Sequence, residues 1–190
     1  MSREVYTLFS KAAKQCAPVI MGIKESNLLK IKTADEKKMK RIFEGTDIEM
    51  KKLYSINRMS VYIVYKRSML EEYVRRTENM DILLENEYTD TDFDSMLDIL
   101  SARCKKWTVD YNDYPHEIGI FLGYPTDDVK GFIVNNGHNF IEMGYWKVYS
   151  DVNEARRLFS AYEEAEDKVM KYFYANAVCD DAENAVVDCI

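Results

Sequence analysis

No two of the four cysteines stand in a C-x-x-C arrangement. Cys16, Cys104, Cys179 and Cys189 fall at scattered spacings, which argues against a disulfide framework or a zinc knuckle and suits a reducing cytoplasm. No apolar run approaches the ~20 residues a membrane span requires. The N-terminal Met-Ser-Arg-Glu-Val-Tyr lacks the basic-then-apolar layout of a secretory signal. Basic charge is not in excess either: the net charge is −7, so no general field favours nucleic acid or an anionic membrane. Internal repeats, low-complexity tracts, a Gly-Lys-Ser/Thr phosphate loop and a dinucleotide fingerprint are all missing. With only two histidines and no recognised ligand spacing, the chain gives no metal site to expect. It names no cofactor.

What is present describes a folded protein. At 190 residues with 47% hydrophobic and 31% charged residues, one sizeable domain with a core is expected. We place it at residues 1–176, with a small, acidic and flexible tail over 177–190 that holds Cys179 and Cys189. The 14 tyrosines suit rings packed inside with their hydroxyls wet, or an aromatic cage. The ten methionines read as gap-fillers. The basic clusters Lys37-Lys38-Met39-Lys40-Arg41 and Arg75-Arg76 read as solvated helix faces.

Helical periodicity in Val5, Leu8, Phe9, Ala12 and Cys16 predicts a first helix, capped by Ser2 and ended by Pro18. Leu28–Lys32 alternates as a short edge strand. Thr33-Ala-Asp-Glu36 forms a capping box for a helix stopped at Gly45, and Thr46 to Tyr54 is expected to be another short helix. Met59–Tyr65, apolar on both faces and β-branched, predicts the central strand. Helical spacing returns from Ser68, and Asp90–Trp107 is the clearest helix, with acids at its start and bases at its end. Pro115 opens a helical turn that Gly123 ends. Pro125–Asp128 starts a helix through Val134, and Asn135-Asn-Gly137 turns the chain into a strand over 140–149. Asp151-Val-Asn-Glu154 caps a long last helix. The expected fold is α/β or α+β, helix-rich, with about three strands whose long helical connections suit parallel neighbours.

The stretch Tyr114-Pro-His-Glu-Ile-Gly-Ile-Phe-Leu-Gly-Tyr-Pro125, continued by Asp128-Val-Lys-Gly-Phe-Ile133 and Gly144-Tyr-Trp-Lys-Val-Tyr149, concentrates four of the seven glycines and two of the three prolines. With Cys16-Ala-Pro and Gly22-Ile-Lys-Glu-Ser-Asn-Leu28, these motifs resemble a family of bacterial intracellular proteins catalogued as domain of unknown function 3793. The similarity runs from Cys16 to Tyr162. This chain departs from the family pattern in carrying Glu25 where Pro is frequent, and Met143 where Cys or Ser is frequent. The resemblance implies a cytoplasmic bacterial protein and no established activity.

Two functional expectations follow. The first is a non-enzymatic binding or regulatory module for a small ligand or a protein partner. Its surface would be formed by His116, Tyr124, Tyr145 and Trp146, with the Tyr114–Pro125 stretch and the tryptophan-bearing segment meeting in space. The alternative is a cysteine-dependent enzyme, a hydrolase or a thiol transferase, with Cys16 as nucleophile, His116 as base and Glu117 as orienter. A helix ending at Pro18 would place Cys16 at a negative dipole end, which disfavours the thiolate. Packing explanations compete throughout: His116 and Glu117 can simply fix the Pro115 turn, and Gly119 can mark a close helix approach.

Overall fold

A computed structural model of the protein describes residues 3–89, 92–112 and 114–176. Its elements are helix-rich α+β: eight α-helices, a three-stranded sheet and a two-stranded hairpin among the described residues. The chain divides into two compact units, Ser68–Ser160 and the remainder from either side of it. The expected tail over 177–190, the Ser2 cap and Asp90 lie outside the described residues.

The first unit contains α1 (Arg3–Ile20), β1 (Ser26–Lys32), α2 (Glu36–Ile42), β2 (Ile48–Ile56), β3 (Met59–Lys66) and, from Ala161, most of α8 (Val152–Asn176). Its sheet has the order β1-β3-β2 and is antiparallel throughout, with Leu29 opposite Tyr62 and Lys52 opposite Tyr62 from the other side. The expected helix over 46–54 is therefore strand β2. Its lysines hide the alternation, which a bulge between Lys52 and Tyr54 interrupts. Asn57 and Arg58 both take positive φ, 49° and 62°, the two-residue turn that joins antiparallel strands. That turn makes β2 and β3 antiparallel, and the register of β1 on β3 makes the other pair antiparallel too, so the expected parallel neighbours do not occur in this sheet.

Period two then sorts the sheet. Leu29, Ile31, Tyr62 and Val64 enter one core with Phe9, Ala12 and Cys16 of α1 and Phe173 of α8, where Phe9 stacks on Phe173 at 4.3 Å. Helix α1 runs through Pro18 to Ile20 instead of ending there. Proline removes one donor but keeps a helical φ, and the stop comes at Gly22, φ 65°, whose N–H reaches the Val19 carbonyl at 3.0 Å. The Thr33–Glu36 capping box also rearranges. Thr33 pairs its hydroxyl with Ser60, and Glu36 accepts from Lys52 and Ser60 while the turn Thr33–Asp35 becomes a 3-10 helix.

The second unit contains α4 (Thr77–Glu85), α5 (Phe93–Asp110), α6 (Ile118–Phe121), α7 (Thr126–Val134), β4 (Glu142–Met143) and β5 (Lys147–Val148), preceded by α3 (Arg67–Val74). The α5 stripe of Phe93, Met96, Leu97, Leu100 and Cys104 is buried, and Asp92 caps the helix by accepting from the Ser95 N–H. Asn79, fully buried, knots the helices together. Its amide donates to the Tyr73 carbonyl at 2.7 Å and its oxygen accepts from Thr126 at 2.6 Å. Residues 140–149 form a hairpin turning at Gly144-Tyr145 rather than one strand, with Glu142 opposite Val148.

Candidate functional site

The Tyr114–Pro125 stretch is shaped by its prolines and glycines. The Pro115 carbonyl accepts from the Ile118 N–H, opening α6, and Gly123 ends it at φ 67°. At Gly119 a methyl group would stand 2.8 Å from a Val129 methyl, so glycine lets α6 approach α7. This arrangement delivers Tyr124 onto Trp146, the two rings stacked at 5.2 Å. The Phe159 ring meets Trp146 edge-on at 4.6 Å.

Asp128, in the first turn of α7, fixes the far side of the hairpin. One carboxylate oxygen accepts from the Trp146 indole N–H at 2.6 Å. The other accepts from the Tyr149 N–H, the Ser150 N–H and the Ser150 hydroxyl at 2.7–2.9 Å. Asp128 and Trp146 are buried. The fully hydrogen-bonded carboxylate thereby satisfies donors that the core would otherwise leave orphaned. A bidentate pair between Glu142 and Arg156 ties β4 to α8, and it holds the Glu142 carboxyl below its ordinary range. What the hairpin turns outward is apolar: Ile141, Met143 and Tyr145 are 63%, 67% and 40% exposed.

His116 is exposed and sits between Tyr114 and Phe132, with ring centres 5.5 and 5.0 Å away. Nearby, Lys147 lies over Phe132 and Phe140 and donates to the Gly137 carbonyl at 2.7 Å. Glu117, the next residue, turns inward. It is buried and accepts from Arg103 at 2.6 Å and from Tyr88 at 3.0 Å. Burial and then the Glu117 charge push the Tyr88 phenol well up, and the same two influences push the Cys104 thiol up to about 12. Neighbours in sequence, His116 and Glu117 thus serve different surroundings.

Cys16 belongs to the first unit and is fully buried on α1. Burial pushes its thiol up to about 12, opposed by the charge of Lys24. Lys24 is itself buried, bonded to Asn27 at 3.1 Å and lying over the Tyr162 ring, and burial lowers it to about 8. The geometry brings together Tyr124, Tyr145 and Trp146, and adds Asp128, which by sequence alone is no more than a helix-start charge. It also exposes Ile141 and Met143, which carry no distinct signal in the sequence. Among the described residues no group of three or more His, Cys, Asp or Glu could hold a metal ion, and no helix is long and apolar enough to cross a membrane.

A family model described as protein of unknown function (DUF3793) matches residues 12–181. No curated protein and no solved structure matches the chain.

Proposed function

The chain belongs to the DUF3793 family of proteins of unknown function, and within it we propose a non-catalytic binding module that docks a protein partner on the outer face of the 140–149 hairpin. One observation carries this reading. Ile141, Met143 and Tyr145, at the entry, strand and turn of one short hairpin, stay exposed while Asp128 holds the hairpin through Trp146 and the Tyr149 backbone. A hairpin already held by Asp128 and Arg156 has less backbone freedom to lose on docking, and contiguous exposed apolar surface marks interaction sites. Phe159 lies under the Tyr145 ring, with Trp146 and Tyr124 packed beside it, and His116 with Phe132 extends the aromatic surface.

The enzyme reading, with Cys16, His116 and Glu117, has less behind it. A nucleophilic thiol needs access and a lowered pKa, whereas Cys16 is enclosed and its thiol raised, and Glu117 is engaged by Arg103 and Tyr88.

The test is site-specific photocrosslinking in the native host, with a benzophenone side chain at position 143 or, as control, at exposed position 37. A discrete adduct from position 143 alone, lost when Ile141→Ser and Tyr145→Ser are added in a variant that keeps its near-ultraviolet circular dichroism, is the expected result. Identical adducts from both positions, or an adduct indifferent to the serine changes, would discard the reading.

A further inference from the structure

A second surface, remote in chain position from the hairpin stripe, lies between α4 and α7. There Ile82 and Ile133 floor an open groove of about 560 Å³, and Leu84 and Val134 stand at its lips. Leu84 is 53% exposed and Val134 80%, and they line one groove with Ile133 instead of standing singly on the surface. The α4 wall is acidic. Asp81 and Glu85, one turn apart, line the groove, and Glu78 continues the row at helical spacing. None of these three carboxylates has a cationic partner among the described residues. The rest of the unit offers no general compensation, because acidic residues outnumber basic ones two to one over residues 68–160. On the α7 side, Lys130 faces the groove, next in line to the exposed Asp127, so the two walls differ in sign balance.

We propose that this groove is a docking site for a cationic amphipathic helix of a protein partner. Apolar side chains on one face of such a helix would cover Leu84, Val134 and Ile133, in the helix-in-groove manner. Lysines or arginines flanking that face would meet Glu78, Asp81 and Glu85. The pairing of an apolar floor with an unneutralised acidic wall selects this ligand over an acidic helix, which the α4 row repels, and over a purely apolar one, which would leave the row unpaired. Lys130 sets direction, by favouring one end or edge of the helix over the other.

The experiment is fluorescence anisotropy on the full chain with a labelled Leu/Lys amphipathic helical peptide, and with its Leu/Glu counterpart. The Leu/Lys peptide is expected to bind saturably with a Kd on the order of micromolar, weakening with salt, and the Leu/Glu peptide not to bind. Leu84→Ser with Val134→Ser, which keeps every charge, should weaken binding at least about tenfold. Asp81→Lys with Glu85→Lys should do the same, whereas Glu163→Lys with Asp167→Lys, an equal charge change on an exposed face of α8, should leave it intact. Far-ultraviolet circular dichroism checks that each variant folds. Unchanged affinity in the Leu84/Val134 variant would show a general attraction to an acidic protein and overturn the site. Equal weakening by both charge reversals, or no binding at all, would overturn it too.

Discussion

A single carboxylate, that of Asp128, accepts four hydrogen bonds and so decides the shape of the hairpin. In the sequence it is one of two adjacent aspartates at a helix start, and helix-dipole reasoning explains both equally. Burial separates them: Asp127 is exposed and Asp128 enclosed. Nothing local tells which of them turns inward, because the donors Asp128 meets are 18 to 22 residues further on. Asp128→Ala would remove the carboxylate acceptor of the Trp146 indole N–H and of two backbone N–H groups. At about 1–3 kcal/mol for a buried donor that loses its acceptor, with smaller losses at the half-buried Tyr149 and exposed Ser150 backbone, it should lower stability by about 2 kcal/mol or more. Asp128→Asn keeps an acceptor oxygen and should fall between. Urea titration with tryptophan fluorescence measures both; an alanine variant within about 1 kcal/mol of the parent would show the hairpin is held by other means. His116 and Trp146 carry the opposite lesson. Both are legible as members of a concentrated motif, yet only the fold puts one ring in solvent and stacks the other against Tyr124.

Helices with a clean stripe and a cap are legible in the sequence. Helix α5 and the Asp151 cap of α8, which accepts from the Asn153 and Glu154 N–H groups, follow from spacing alone. Strand β2 is hidden for a physical reason: Lys51 and Lys52 interrupt its alternation, and its stability comes from pairing with β3, a tertiary term that local propensity does not contain. The Asn57-Arg58 turn is the available clue. Glycines in this chain also read differently once neighbours are known. Gly131 lies inside α7, where alanine would ordinarily add up to about 1 kcal/mol of helix stability. A Cβ there would stand 2.5 Å from Tyr149 Cβ and Cγ, however, and overpacking costs about 1–3 kcal/mol. Gly131→Ala should therefore destabilise, and removing the whole Tyr149 side chain in the same chain (Tyr149→Gly), which takes away both Cβ and Cγ, should recover part of the loss. A double-mutant cycle by thermal unfolding checks it; additive effects would mean the side chain moves aside freely. Gly144 is constrained likewise, by the Phe159 ring.

At the scale of the whole chain, the helix-rich class with a small sheet is legible from composition and periodicity, while strand order is not. Order depends on which loops are tight turns, and only one two-residue turn separates an antiparallel sheet from the crossover alternatives. Charge buried in the fold then links it to pH. Lys24, lowered by burial from 10.5 to about 8, is deprotonated in the folded chain between those values while the unfolded chain still holds the proton. Unfolding takes up a proton in that window, so this group makes stability rise with pH there. The thiols act with the other sign. Cys16 and Cys104, raised from 9 to about 12, keep their protons in the folded chain when the unfolded chain has lost them, and stability falls as pH climbs from 9. Tyr62, raised to about 12 by burial first and by Glu36 next, adds to that fall above its ordinary value of 10. Between pH 8 and 9 the Lys24 contribution is about 1 kcal/mol per pH unit, and the opposing contribution of the thiols is common to parent and variant. Replacing it, Lys24→Met, should leave a stability difference from the parent that shifts in the parent's favour by about that amount over this unit, and further up to pH 10.5. Urea denaturation followed by far-ultraviolet circular dichroism at about pH 7, 8, 9 and 10 provides the measurement. A difference that stays constant across the series would mean that Lys24 keeps its proton in the folded protein as readily as in water, and the buried site around Asn27 and Tyr162 would have to be hydrated instead of dry.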